Sequence, residues 1–222
     1  MSAIDVTGLH FAYPSGRFAL GLPELRIGDG SSLACIGPSG SGKTTFLDLL
    51  AGIQLPVRGT VLFRGQKWSA LSERDRRARR LEHIGFVFQG FELFEHLTVT
   101  ENVLLPYLVN PRRSADAASR DRAQELLGIA GMTDLLSRHP GELSHGERQR
   151  VAVCRALVTE PTLILADEPT GSLDPDTARC VLDLLTSEAE RSGSTLVMVT
   201  HDATLVDGFD LTLDFADLGV PS

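Results

Sequence analysis

A chain of 222 residues with 42% hydrophobic and 23% charged residues has the composition of a globular protein that buries a real core without disulfide staples. Its 29 acidic residues outnumber 21 basic ones for a formal charge of −8, which argues against a broad nucleic-acid-binding face. Apolar runs such as Leu163 to Ala166 and Leu196 to Val199 fall far short of the roughly 18 residues of a membrane-spanning helix, so membrane contact is expected only through a partner.

The N-terminal segment carries an early Asp5 and no basic start before an apolar block, so it does not read as a signal peptide. Strands are predicted at Ile4 to Phe11, Arg17 to Ile27, Ser32 to Ile36 and Gly59 to Phe63, with Pro14-Ser15-Gly16 and Gly28-Asp29-Gly30 as turns. Of these, Ser32-Leu33-Ala34-Cys35-Ile36 is a continuous apolar run of the kind buried on both faces, and a helix over Thr44 to Ala51 follows it. Apolar residues spaced three and four apart predict helices over Leu71 to Leu81, Val99 to Val109, Ala115 to Leu127 and Gly146 to Val158, which are expected to form a subdomain. A strand over Leu163 to Ala166, a helix over Pro175 to Glu190 with Asp174 as N-cap, and a strand over Thr195 to Val199 make a βαβ unit and predict a parallel core sheet. No repeat or long linker divides the chain, which reads as one composite α/β domain. The three cysteines, Cys35, Cys154 and Cys180, lack metal-ligand spacing and read as buried free thiols of a reducing cytoplasm.

Between the buried strand and its helix lies Gly37-Pro38-Ser39-Gly40-Ser41-Gly42-Lys43-Thr44, followed by Thr45. Glycines at 37, 40 and 42 let successive N–H groups turn inward on an anion while the helix adds its positive N-terminal end. Lys43 supplies charge for the β- and γ-phosphates of ATP, and the Thr44 hydroxyl suits Mg²⁺. A second apolar strand ends in Asp167-Glu168, where Asp167 suits the Mg²⁺ shell and Glu168 suits a general base for the attacking water. A third ends at His201, within reach of the γ-phosphate in such an arrangement.

Leu143-Ser144-His145-Gly146-Glu147-Arg148-Gln149-Arg150 lies between the two nucleotide motifs, and with them the chain resembles the ATP-binding cassette (ABC) family from about Ile4 to about Asp210. The resemblance implies a P-loop NTPase with a parallel RecA-like core sheet, an antiparallel β subdomain and an inserted helical subdomain. In this chain these would be residues 1–89 with 160–222, and about 90–159 for the insert. It implies an ATPase that pairs head to tail with a second copy, so that Ser144, His145 and Gly146 cover in trans the ATP held by Tyr13, Gly37, Ser39, Gly40, Ser41, Gly42, Lys43, Thr44 and Thr45. Gln89 matches the loop that joins Mg²⁺ and the attacking water to the helical subdomain, which makes Glu168, His201 and Gln89 the catalytic set and Thr44, Gln89 and Asp167 the metal set. The family has Gly where this chain has His145, and often Gln where it has Glu147.

Some readings stay double. Tyr13 matches the adenine-stacking aromatic and also reads as a strand-end core residue; Asp174, in the D-loop match Ser172-Leu173-Asp174, reads equally as a helix cap. Phe91 and Phe94 are either core beneath a loop or anchors for a transmembrane permease subunit. The Arg74 to Arg80 run is a solvated face or a contact to lipid or partner. Glu101-Asn102-Val103-Leu104-Leu105-Pro106 and the Gly-Glu-Arg-Gln-Arg form of the signature look most like the lipoprotein-release and macrolide-export branch. The expected function is the cytoplasmic ATPase subunit of a transporter, peripheral on the inner face of the cell membrane; the alternative is a non-transport cassette that signals to or pulls on a membrane partner.

Overall fold

The computed structural model describes residues 2–14, 16 and 18–218. Ser15 of the predicted turn, Arg17 at the start of the second predicted strand, and Met1 and residues 219–222 at the ends of the predicted domain lie outside the described residues. In chain order the strands are β1 (Ser2–Ala12), β2 (Ala19–Gly28), β3 (Ser32–Ile36), β4 (Arg58–Phe63), β5 (Gln66–Lys67), β6 (Ile84–Val87), β7 (Leu163–Asp167), β8 (Thr195–Thr200) and β9 (Leu211–Asp214). The helices are α1 (Lys43–Leu50), α2 (Glu73–His83), α3 (Val99–Val109), α4 (Ala117–Ile129), α5 (His145–Leu157) and α6 (Pro175–Ser192).

Alternation in β1 buries Ile4 and Val6, then Leu9 and Phe11, and the change of phase coincides with a register shift against β4 between Thr7 and His10. β1 pairs antiparallel with β2 and β4, giving a four-stranded sheet in the order β2-β1-β4-β5. The second sheet is parallel, in the order β6-β7-β8-β3-β9. Every residue of β7 and β8 is buried, as continuous apolar runs require of strands covered on both faces. Leu163, Leu165, Val197 and Val199 face a core shared with α1 and the antiparallel sheet, whereas Ile164, Ala166, Leu196 and Met198 face a core built by α3 to α6.

The register fixes the functional edge. Ile36 pairs with Thr200, Asp167 with Val199 and Val87 with Ala166, so β3, β6, β7 and β8 all finish along one line. The Gly-rich loop, Gln89, the Asp167-Glu168 pair and His201 leave the sheet from that line. The helices begin where their caps dictate: Thr98 with Glu101 and Ser144 with Glu147 form reciprocal capping boxes, and Asp174 caps α6 ahead of Pro175.

Three expectations change. None of α2's residues is buried, and it packs beside β6 instead of joining the other helices, because Arg76 and Arg80 spend their guanidinium groups on Glu73 and on the carbonyls of Leu71 and Gly52. Cys180 is exposed on α6, while Cys35 and Cys154 are buried free thiols; burial pushes the Cys154 thiol up to about 12. Strands β5 and β9 were not predicted: the first is two residues long, and the second offers only Leu211 and Leu213 at a half-exposed edge.

The single tryptophan, Trp68, is fully buried, stacks on Phe63 with centroids 5.5 Å apart, and donates its indole N–H to Leu50 O at 2.9 Å. It ties the β4–β5 hairpin to the end of α1. Trp68→Ala is expected to destabilise the protein by about 3–5 kcal/mol, measured by urea unfolding followed by circular dichroism.

Candidate functional site

The loop from Ile36 to Lys43 is shaped by backbone that other residues resist. Gly42 has φ +100°, and a Cβ there would stand 2.3 Å from the Phe18 ring, so glycine is required both by conformation and by space. The first N–H groups of α1 have no intrahelical acceptor, and the Ser41 hydroxyl is buried with no partner among the described residues. Donors left open around a helix start are what an anion needs. Lys43 is only 6% exposed; its ammonium donates to Gly37 O at 2.6 Å and Pro38 O at 3.1 Å and stands 3.5 Å from Glu168 Oε1.

Asp167 and Glu168 take different roles from their surroundings. Burial raises the Asp167 pKa, a shift eased by the hydrogen bond with Thr44, reinforced by the neighbouring Glu168 charge and opposed by Lys43. Glu168 sits just past the strand with φ +47°, a left-handed backbone that costs a non-glycine residue about 1 kcal/mol or more and persists where the surroundings hold it. Its N–H donates to Val199 O at 3.0 Å, and its Oε2 lies 2.8 Å from His201 Nδ1 and accepts from His201 N at 3.2 Å. His201 therefore orients one carboxylate oxygen and Lys43 attracts the other.

Most of these groups converge on a cavity of about 370 Å³ lined by Tyr13, Phe18, Ser39, Gly40, Gly42, Lys43, Thr44, Thr45, Gln89, Asp167 and Glu168, whereas Gly37, Ser41 and His201 are not in its lining and His201 reaches it only through Glu168. The Tyr13 hydroxyl and the Thr45 hydroxyl are 3.1 Å apart, and the Tyr13 ring lies between Phe11 and Phe18 with centroids 4.9 and 6.0 Å away. Tyr13 is thus both a packed aromatic and a wall of the cavity. The hydroxyl of Thr44 beside the Asp167 carboxylate is a hard oxygen pair that fits Mg²⁺.

Ser144, His145 and Gly146 do not line this cavity. Ser144 caps α5: its hydroxyl accepts from Glu147 N at 3.3 Å, while its own N–H donates to Glu147 Oε2 at 2.7 Å. Glu147 therefore closes a capping box, a role that a glutamine side-chain oxygen at this position would also fill. The cap leaves the Ser144 O–H hydrogen and the amides of His145 and Gly146 directed out of the helix start. His145 sets its exposed ring edge-on against Phe91, at 4.6 Å and 80°.

Residues 22–171 match the sequence family described as "ABC transporter". The chain is 43% identical over 210 residues, covering 92% of each chain, to the "Lipoprotein-releasing system ATP-binding protein LolD" of Psychrobacter arcticus. The chain belongs to the ABC transporter family. A relative of the same name from Bacteroides thetaiotaomicron is 40% identical, with 96% of this chain and 97% of the relative covered. Among solved structures, "Dimeric Structure of MJ0796, a Bacterial ABC Transporter Cassette" superposes with a TM-score of 0.84 at 34% identity, over 96% of this chain and 94% of the other. A post-hydrolysis dimer of the same cassette, bound to ADP and Pi, gives a TM-score of 0.84 at 33% identity. The protein is accordingly an ATP-binding, ATP-hydrolysing subunit of an ABC transporter.

The sequence reading missed Phe18, which lies ahead of β2 and over Gly42, and whose only signal was an aromatic at the start of an apolar stretch. It also missed buried Gln149, whose side-chain amide donates to Pro169 O at 2.6 Å and so ties α5 to the loop after Glu168. The phenylalanines divide differently from expectation. Phe86 and Phe88 stack at 4.3 Å and line an apolar groove of about 260 Å³ with Ile53, Leu105, Pro106 and Val109. Phe91 is half-buried under His145 and Arg148, and Phe94, 56% exposed, does not line the groove.

Because the Asp167 carboxyl has its pKa raised on folding, its ionised form costs stability above the unfolded pKa, and that cost disappears as pH falls below it. Asp167→Asn is therefore expected to raise the melting temperature near pH 7, measured without added nucleotide. The gain should shrink as pH falls through the raised pKa of the folded carboxyl and be gone below about pH 4, the ordinary range of an aspartate in the unfolded chain.

Proposed function

We propose that two copies of this chain pair head to tail around two ATP molecules and that their closure and reopening drive separate membrane subunits. The observation that carries this reading is the separation of the signature turn, Ser144 to Gly146, from the cavity formed by the chain's own Gly-rich loop. One chain then supplies half of each site. The outward amides at the start of α5 are anion donors of the kind that would close over a γ-phosphate held by the other copy.

In each site Gly37, Ser39, Gly40, Ser41, Gly42, Lys43, Thr44 and Thr45 hold the phosphates and Tyr13 faces the base. Thr44, Gln89 and Asp167 would hold Mg²⁺, which when bound neutralises charge on the β- and γ-phosphates. Glu168 takes the proton of the attacking water, and His201 keeps the carboxylate aligned through the 2.8 Å contact. Gln89 links this chemistry to the helical unit of about residues 90–159, and Ser172 to Asp174 meets the partner copy while Asp174 also caps α6. The apolar groove at Phe86 and Phe88 receives a short segment of the membrane subunit. Among the described residues no helix is long and apolar enough to cross a membrane. The proposed place of the chain, on the inner face of the cell membrane, follows from its docking to that partner. Since the relatives above are named for lipoprotein release, lipoproteins are the first cargo to test.

Glu168→Gln is expected to lower ATP turnover by about a hundredfold or more while ATP is still bound. Dimer accumulating with ATP, seen by light scattering, completes the expected result; a turnover rate equal to wild type would overturn the assignment. Phe88→Asp is expected to leave the turnover of the isolated chain unchanged and to abolish its co-purification with the membrane subunits.

A further inference from the structure

His145 replaces the glycine usual in the family signature, and its ring is used within its own chain. It meets the Phe91 ring edge-on at 4.6 Å, while the Arg148 guanidinium, one turn further along α5, stands 5.6 Å from the Phe91 ring centroid. Deeper in the same helix, buried Arg155 donates to the carbonyls of both Phe91 and Glu92. Phe91 and Glu92 have φ of +62° and +51°, a left-handed conformation that L residues keep only where neighbours hold them. Phe91 lies two residues after Gln89, which lines the nucleotide cavity. Gly146, next to His145, packs so closely on α6 that a Cβ would come within 2.8 Å of Thr177 Cγ2. The turn that carries Ser144 is thus fixed to α6 on one side and to the segment after Gln89 on the other.

We propose that His145 is a positioning residue that acts in cis: through Phe91 it fastens the Gln89 segment to the start of α5. A chain's own Gln89 and the turn it offers to a second copy then move as one body. A displacement at one nucleotide site is passed to the other through His145 and Phe91 and needs no contact between the imidazole and a phosphate. This rests on the head-to-tail reading for its consequence, but the contact itself is a property of the single chain.

The test compares His145→Ala, His145→Phe, Phe91→Gly and the His145→Ala/Phe91→Gly double variant, the glycine being chosen because it relieves the left-handed backbone while removing the ring. Chymotrypsin cleavage after Phe91 is measured on the full chain together with kcat and KM for ATP. His145→Ala is expected to speed cleavage at Phe91 several-fold, and His145→Phe, which keeps a ring against Phe91, to restore the wild-type rate. His145→Ala and Phe91→Gly are each expected to lower kcat about three- to tenfold with KM within about twofold, and the double variant to be no slower than Phe91→Gly alone. Unchanged cleavage in His145→Ala overturns the proposal. So do multiplicative losses in the double variant, or a raised KM in His145→Ala with Phe91→Gly silent, since both assign the imidazole a role on nucleotide. The cleavage arm reads the contact even if ATP turnover is absent, so failure of the proposed function and failure of this inference are told apart.

Discussion

Parallel pairing of β3, β6, β7 and β8 is the constraint on which the molecule depends. Parallel strands covered on both faces must be apolar throughout, and β7 and β8 are buried along their whole length. Polar side chains are then admitted only where the strands stop. Because Ile36 is level with Thr200, and Asp167 with Val199, the stops coincide and the polar residues meet. The site is a boundary effect of the core: Asp167 and Glu168 stand at the end of β7, and Lys43 at the start of the helix that follows β3, because nothing further back along those strands tolerates charge.

The same economy explains the division of labour among the helices. α5 carries the signature at its start, yet its body is a structural hub, with Gln149 on Pro169 and Arg155 on the carbonyls after Gln89. Loops that issue from two different strands are thereby referred to one helix. A rotation of α5 cannot leave either loop where it was, since each bond is made by a buried side chain.

Much of this was legible in the sequence because it lay in patterns of period and punctuation. The run Ser32 to Ile36 ahead of glycines, the acid pair after Leu163 to Ala166, and Asp174 before Pro175 each state a local structure that the fold keeps. What was not legible depends on distance in space with no mark in the chain. Nothing near Phe18 says that it covers Gly42, and nothing near Phe91 says that His145 reaches it. The arginine-rich helix agrees with the solvated-face reading, since none of its residues is buried and Arg76 and Arg80 satisfy local carbonyls, but its place beside β6 and apart from the other helices had no mark in the chain. Strand β9 joins the sheet by edge pairing to β3, for which Leu211 and Leu213 are too little signal.

Lys43 has three N–H donors, of which two are taken by the carbonyls of Gly37 and Pro38, while Glu168 Oε1 stands 3.5 Å away as its ion-pair partner. Under the proposed function, a phosphate that recruits this ammonium does so in competition with the carboxylate proposed to act on water. Affinity and turnover are therefore set against each other through one side chain. On that proposal, any change that neutralises Glu168 removes the rival for Lys43 together with the proposed base, so tighter nucleotide retention and slower chemistry arrive as a single effect.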